Sequence, residues 1–166
     1  MGPLEIYQKN IQDGVMNPDA EQMKAVLLLQ SLFESLLYSD RNETNLLVRI
    51  FKKKRDKNLP KGLYLWGGVG RGKTFLMDLF FDSLPLKRKT RLHFHRFMMA
   101  VHLALSEFQG RPNPLKLVAE KFHREATVLC FDEFYVSDIG DAMLLDGLLQ
   151  EMFSIGMTFV ATSNVP

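Results

Sequence analysis

A chain of 166 residues that is 46% hydrophobic and 24% charged has room for one domain with an apolar core and is too apolar for a disordered segment. Its net charge of +2 makes no case for nucleic acid as the partner. A single cysteine, Cys130, excludes an internal disulfide and suits a reducing compartment, and no uncharged apolar run approaches the roughly 18 residues of a membrane span.

The N-terminus, Met1-Gly2-Pro3-Leu4-Glu5-Ile6-Tyr7, carries no basic-then-apolar signal, no Arg/Ser-rich presequence and no myristoylation pattern, so a cytoplasmic location is expected. Asn17-Pro18-Asp19 reads as a helix start, with a cap residue, Pro in the first turn and an acid near the positive end. Met23, Val26, Leu27, Leu29, Phe33, Leu36 and Leu37 follow at helical spacing, and Ser39-Asp40-Arg41-Asn42 is expected to end that helix. A second helix is expected from about Glu43 through Leu46, Leu47 and Ile50 into Lys52-Lys53-Lys54-Arg55, where positive charge suits a helix C-terminus. Residues 1–58 thus form a helical lead-in to a core spanning 59–166.

The core alternates. Strands are expected at Gly62–Trp66, Arg91–His95, Thr127–Phe131 and Thr158–Thr162. Helices are expected at Gly72–Leu84, Phe97–Phe108, Leu115–Glu125 and Asp138–Phe153. Such alternation predicts an α/β fold, a parallel sheet with helices on both faces, preceded by the helical N-terminal segment.

Between the first strand and its helix stands Gly67-Gly68-Val69-Gly70-Arg71-Gly72-Lys73-Thr74, the full pattern G-x-x-x-x-G-K-T of a phosphate-binding loop. Glycines let several backbone N–H groups converge on one anion, and the helix N-terminus adds its partial positive charge. Lys73 would reach the outer phosphates of ATP and the Thr74 hydroxyl would ligand Mg2+. The rival dinucleotide fingerprint fails, because Lys73 stands where its third glycine belongs.

The third strand runs Val128-Leu129-Cys130-Phe131 into Asp132 and Glu133. In a parallel sheet these acids lie on the same edge as the loop. Asp132 would hold magnesium, directly or through water, and Glu133 would polarise the water that attacks the γ-phosphate. A second acid beside the first argues for hydrolysis of ATP. Asn164, after the fourth strand, would sit between Lys73 and Glu133 and orient that water if the fourth strand lies between the first and third; as a bare strand-end residue it is equally a turn former.

Four stretches taken together, Lys61–Thr74, His93-Phe94-His95-Arg96-Phe97-Met98, Leu129–Phe134 with Asp138-Ile139 and Asp141-Ala142-Met143, and Val160–Asn164, resemble the ZapE family of AAA+ ATPases, from Pro3 to Pro166. The resemblance implies a P-loop NTPase core of AAA+ type with strand order five, one, four, three, two. It implies ATP and Mg2+ as ligands, Asp132 as the metal-holding acid, Glu133 as catalytic base and Asn164 as the sensor-one residue. It further implies a role in bacterial cell division on the tubulin-like division ring, at the periphery of the inner membrane. Family members are longer than this chain. The last core strand, the arginine finger, the sensor-two residue and the lid are therefore expected beyond Pro166, together with any homo-oligomer they complete. This chain is expected to be a fragment with weak or no turnover and an exposed first strand. Two other readings stay open: a nucleotide-gated binding module at the division site, and a helicase-loader-like ATPase that binds single-stranded nucleic acid.

The run Lys52–Lys57 reads as a solvated helix end, or as a contact to acidic lipid or a nucleic-acid backbone. His93 and His95, two apart, would share one face of the second strand, as a structural pair, a contact between subunits or half of a metal site. Cys130 is expected to be a buried small hydrophobe, and Phe131 and Phe134 to pack the core. Nine Met and thirteen Phe suggest a soft apolar surface that a missing domain would cover.

Overall fold

The computed structural model describes residues 1–44 and 61–166. The expected second helix, the basic run 52–57 and the boundary between 58 and 59 lie outside the described residues. Two helices lead in: α1 (Pro3–Gln12) and α2 (Ala20–Thr44). The core follows as β1 (Gly62–Trp66), α3 (Lys73–Ser83), β2 (Lys89–His93), α4 (Phe94–Glu107), α5 (Pro114–Glu125), β3 (Val128–Asp132), α6 (Ile139–Ser154) and β4 (Thr158–Ser163).

Pro3 opens α1, where a missing N–H costs nothing, and the Glu5 carboxylate accepts from the Gly2 N–H at 3.2 Å. In α2 the expected cap moves from Asn17 to Asp19, whose Oδ1 accepts from the N–H groups of Glu21 and Gln22 at 2.8 and 3.0 Å. These bonds, that to Gln22 foremost, hold the Asp19 carboxyl below its ordinary pKa. The expected break at Ser39-Asp40-Arg41-Asn42 does not occur, and α2 runs on to Thr44. Serines here do not compete for the backbone: Ser35 and Ser39 donate to the carbonyls of Ser31 and Ser35, one turn back, at 2.9 and 3.0 Å.

All four strands are parallel, in the order β1-β4-β3-β2. β4 is buried along its whole length and β3 up to Asp132, as central strands should be. Side chains alternate across the sheet. Leu65, Val128, Cys130 and Val160 face α1, α2 and α3 in one apolar cluster; Leu129, Phe131, Phe159 and Ala161 face α4, α5 and α6 in another. Each fully buried Leu, Val or Phe contributes about 1.5–3 kcal/mol. Cys130 is fully buried, and burial pushes its thiol pKa up to about 12. Among the described residues β1 is an edge strand.

The second strand is displaced from its expected position. β2 ends at His93, and Phe94 already begins α4. Phe94, Phe97, Met98 and Val101 are all buried, a helical spacing that overrides the alternation suggested by His93 and His95. The two histidines therefore do not share a strand face. No helix among the described residues is long and apolar enough to cross a membrane. Met99 and Leu103 on α4 and Ile139 and Met143 on α6 remain exposed.

Candidate functional site

The parallel register brings Trp66, Ser163, Asp132 and His93 to the same edge of the sheet, through the pairs Trp66–Ser163 and His93–Asp132. Everything expected of the site hangs from that edge.

The loop after β1 opens with the Gly67 N–H donating to Ser163 O at 3.3 Å, which carries the β1–β4 ladder one residue further. Gly70 and Gly72 sit at φ 79° and 82°, the left-handed region that a side chain disfavours, and this lets the chain double back. A Cβ on Gly72 would also stand 2.7 Å from Gln22 Nε2. That amide donates to Arg71 O at 3.3 Å, tying α2 to the loop. Lys73 is folded back over the loop, its ammonium donating to Gly67 O at 2.6 Å and Gly68 O at 2.8 Å. Thr74 is exposed in the first turn of α3. A cleft of about 280 Å³ runs beside the loop, lined by Asp19, Gln22, Tyr64, Trp66, Arg71 and Lys73 among others.

The acids after β3 are treated differently. Asp132 is gripped by Arg91 of β2 in a fork: Nε to Oδ2 at 2.7 Å and Nη2 to Oδ1 at 3.1 Å. The remaining Nη1 of Arg91 donates to Asp78 of α3. The Asp132 hydrogen bond, opposed by partial burial and joined by Asp78, drives the guanidinium pKa further up. Glu133 turns the chain at φ 56°, a left-handed conformation uncommon outside glycine. Phe134 N–H then donates to Thr162 O at 2.8 Å. The Glu133 side chain is 79% exposed, with Oε2 3.9 Å from His93 Nδ1. Asn164 is exposed immediately after β4, between the ends of β1 and β3.

So the fold brings Gly67–Thr74, Asp132, Glu133 and Asn164 to one edge, and it separates His95 from His93. Sequence reasoning missed Arg91, Asp78 and Gln22. Asp78 had a signal, standing four residues after Thr74 on one helix face; Arg91 and Gln22 had none. Magnesium takes hard oxygens, the type that Thr74 offers as a hydroxyl and Asp78 and Asp132 as carboxylates. Among the described residues no group of three His, Cys, Asp or Glu could hold a metal alone.

The family model described as AFG1-like ATPase matches residues 1–166. The chain is 50% identical over 172 aligned positions to the cell division protein ZapE of Escherichia coli K12, covering 99% of this chain and 46% of that protein. It thus spans about half the length of the curated relatives it matches. Among solved structures, DnaI superposes with a TM-score of 0.51 at 20% identity, over 90% of this chain and 70% of that one. Domain III of the Thermotoga maritima replication initiation protein DnaA superposes with a TM-score of 0.50 at 20% identity, over 79% and 55%. The last two likenesses speak for a P-loop NTPase fold.

Proposed function

The chain belongs to the AFG1-like ATPase family, and on that premise we propose that it binds ATP with magnesium and forms the phosphate-gripping part of an AAA+ ATPase of cell division. Residues 1–58 act as the helical lead-in and 59–166 as the partial core. The observation that carries this reading is the strand order, which lines up the loop of Lys73, Asn164 and the acid pair along three neighbouring strand ends.

In this reading the N–H groups of Gly67–Gly72 and the N-terminus of α3 receive the phosphates. Lys73 exchanges the carbonyls of Gly67 and Gly68 for the outer phosphate oxygens. Thr74 and Asp132 would hold the metal, which would supply positive charge against that of the phosphates. Glu133, exposed and with His93 Nδ1 at 3.9 Å, accepts the proton of the attacking water. Asn164 orients that water. The cell-division role follows the 50% identity to ZapE. Action on a tubulin-like division ring, peripheral contact with the inner membrane and assembly as a homo-oligomer belong to the same proposal.

The test is single-turnover and steady-state ATP hydrolysis by the full-length protein. Glu133→Gln is expected to keep nucleotide affinity and lose about 10²–10⁴ in rate; turnover at the wild-type rate would remove Glu133 from the role of base.

A further inference from the structure

The guanidinium of Arg91 stands where a cation is wanted. It takes one N–H bond to each oxygen of Asp132, at 2.7 and 3.1 Å, and a third to Asp78, four residues beyond Thr74 on α3. Arg91 and Asp132 are 21% and 18% exposed at their side chains. The pair is therefore shielded enough to hold one geometry, unlike a solvated surface bridge. Three elements, β2, β3 and α3, meet at this one group.

We propose that Arg91 is a positioning residue for the metal step: it neutralises and orients the Asp132 carboxylate, so that this acid serves a divalent ion only when nucleotide phosphates bring the ion to it. The inference rests on the reading of Asp132 given above. A carboxylate has about four acceptor directions, and a forked arginine uses two of them, one on each oxygen. The others stay open to a metal or to its water. What Arg91 removes is charge. Asp78 and Asp132, both bonded to this one guanidinium, together carry two negative charges, and an uncompensated pair of that kind would attract a divalent ion without nucleotide. One guanidinium between them leaves a single negative charge shared over both acids. Metal capture is thereby made conditional on the phosphates, and the network reaches α3, the helix that follows the loop, through Asp78.

The probe is Mn2+, followed by electron paramagnetic resonance with and without ATP. Wild type is expected to bind Mn2+ weakly alone and tightly with ATP. Arg91→Gln is expected to tighten nucleotide-free Mn2+ binding by about tenfold or more, since a nearby unit charge acts at short range. Arg91→Lys, which keeps the charge without the fork, is expected to stay within about threefold of wild type. If Arg91→Gln alone does not fold, Arg91→Met, which removes the same charge while keeping an apolar stem in place, takes its part, with the same tightening expected. Unchanged nucleotide-free affinity in the folded glutamine variant, or equal tightening in the lysine variant, would overturn the proposal. Failure of the underlying reading looks different: wild type would then bind Mn2+ with ATP no more tightly than Asp132→Asn does.

Discussion

The strand ends of β1 and β3 lie on the same edge of the sheet, yet they are prepared for work in opposite ways. After β1 the chain offers backbone: glycines, converging N–H groups, and one lysine satisfied by its own loop carbonyls at 2.6 and 2.8 Å. After β3 it offers side chains, and their state is set by other elements. Asp132 is held by Arg91 from β2, while Glu133 is turned out at φ 56° and left exposed. A phosphate grip made of backbone is a local property. An acid's readiness is a tertiary one.

The contrast can be broken by stability measurements on both sides. Asp132→Asn leaves Arg91 facing a neutral amide in a shielded setting. A loss of about 1.5–3 kcal/mol in urea unfolding is expected, the range for a hydrogen bond to a charged group; a loss below about 0.5 kcal/mol would reduce the fork to an ordinary surface contact. A smaller effect is expected on the β1 side, where α2 meets the loop. Asp19→Ala removes the cap of α2, with a measurable loss smaller than that of Asp132→Asn. Because the Asp19 pKa is lowered on folding, its contribution is fully present above the unfolded value of about 3.9 and disappears as pH falls through the lower folded value. The stability difference between wild type and Asp19→Ala should therefore shrink only in that acid window; a difference that is constant down to pH 2 would remove the carboxylate from the account. Smallest of all is the stability change expected for Lys73→Ala, within about 0.5 kcal/mol, since its partners are two loop carbonyls, one part-buried and one exposed, that water can reach.

Legibility in the sequence followed the same divide. The loop Gly67–Thr74 and its flanking strand and helix could be read directly, since the spacing of Gly, Lys and Thr is itself the mechanism. β1 matches its expected bounds, and α5, α6, β3 and β4 fall within a residue of theirs at either end. The start of α4 was misplaced by three residues, because His93-Phe94-His95 alternates like a strand while Phe94, Phe97 and Val101 already count as helix. The end expected for α2 failed because serine is only a conditional breaker; with a carbonyl one turn back it stays in the helix. Arg91 was invisible for a deeper reason. Its importance comes from a register, His93 opposite Asp132, that puts it two residues back on the same sheet face as the acid. No pattern along the chain records that pairing.

In the proposed function this edge of the sheet clasps Mg-ATP through the loop of Lys73. Calorimetric titration of wild type and Lys73→Ala with Mg-ATP tests it most directly. Saturable binding by wild type, weakened about 100-fold or more in a variant whose unfolding midpoint is unchanged, is the predicted result. Equal affinity in the two proteins, or no heat from wild type at all, would contradict it.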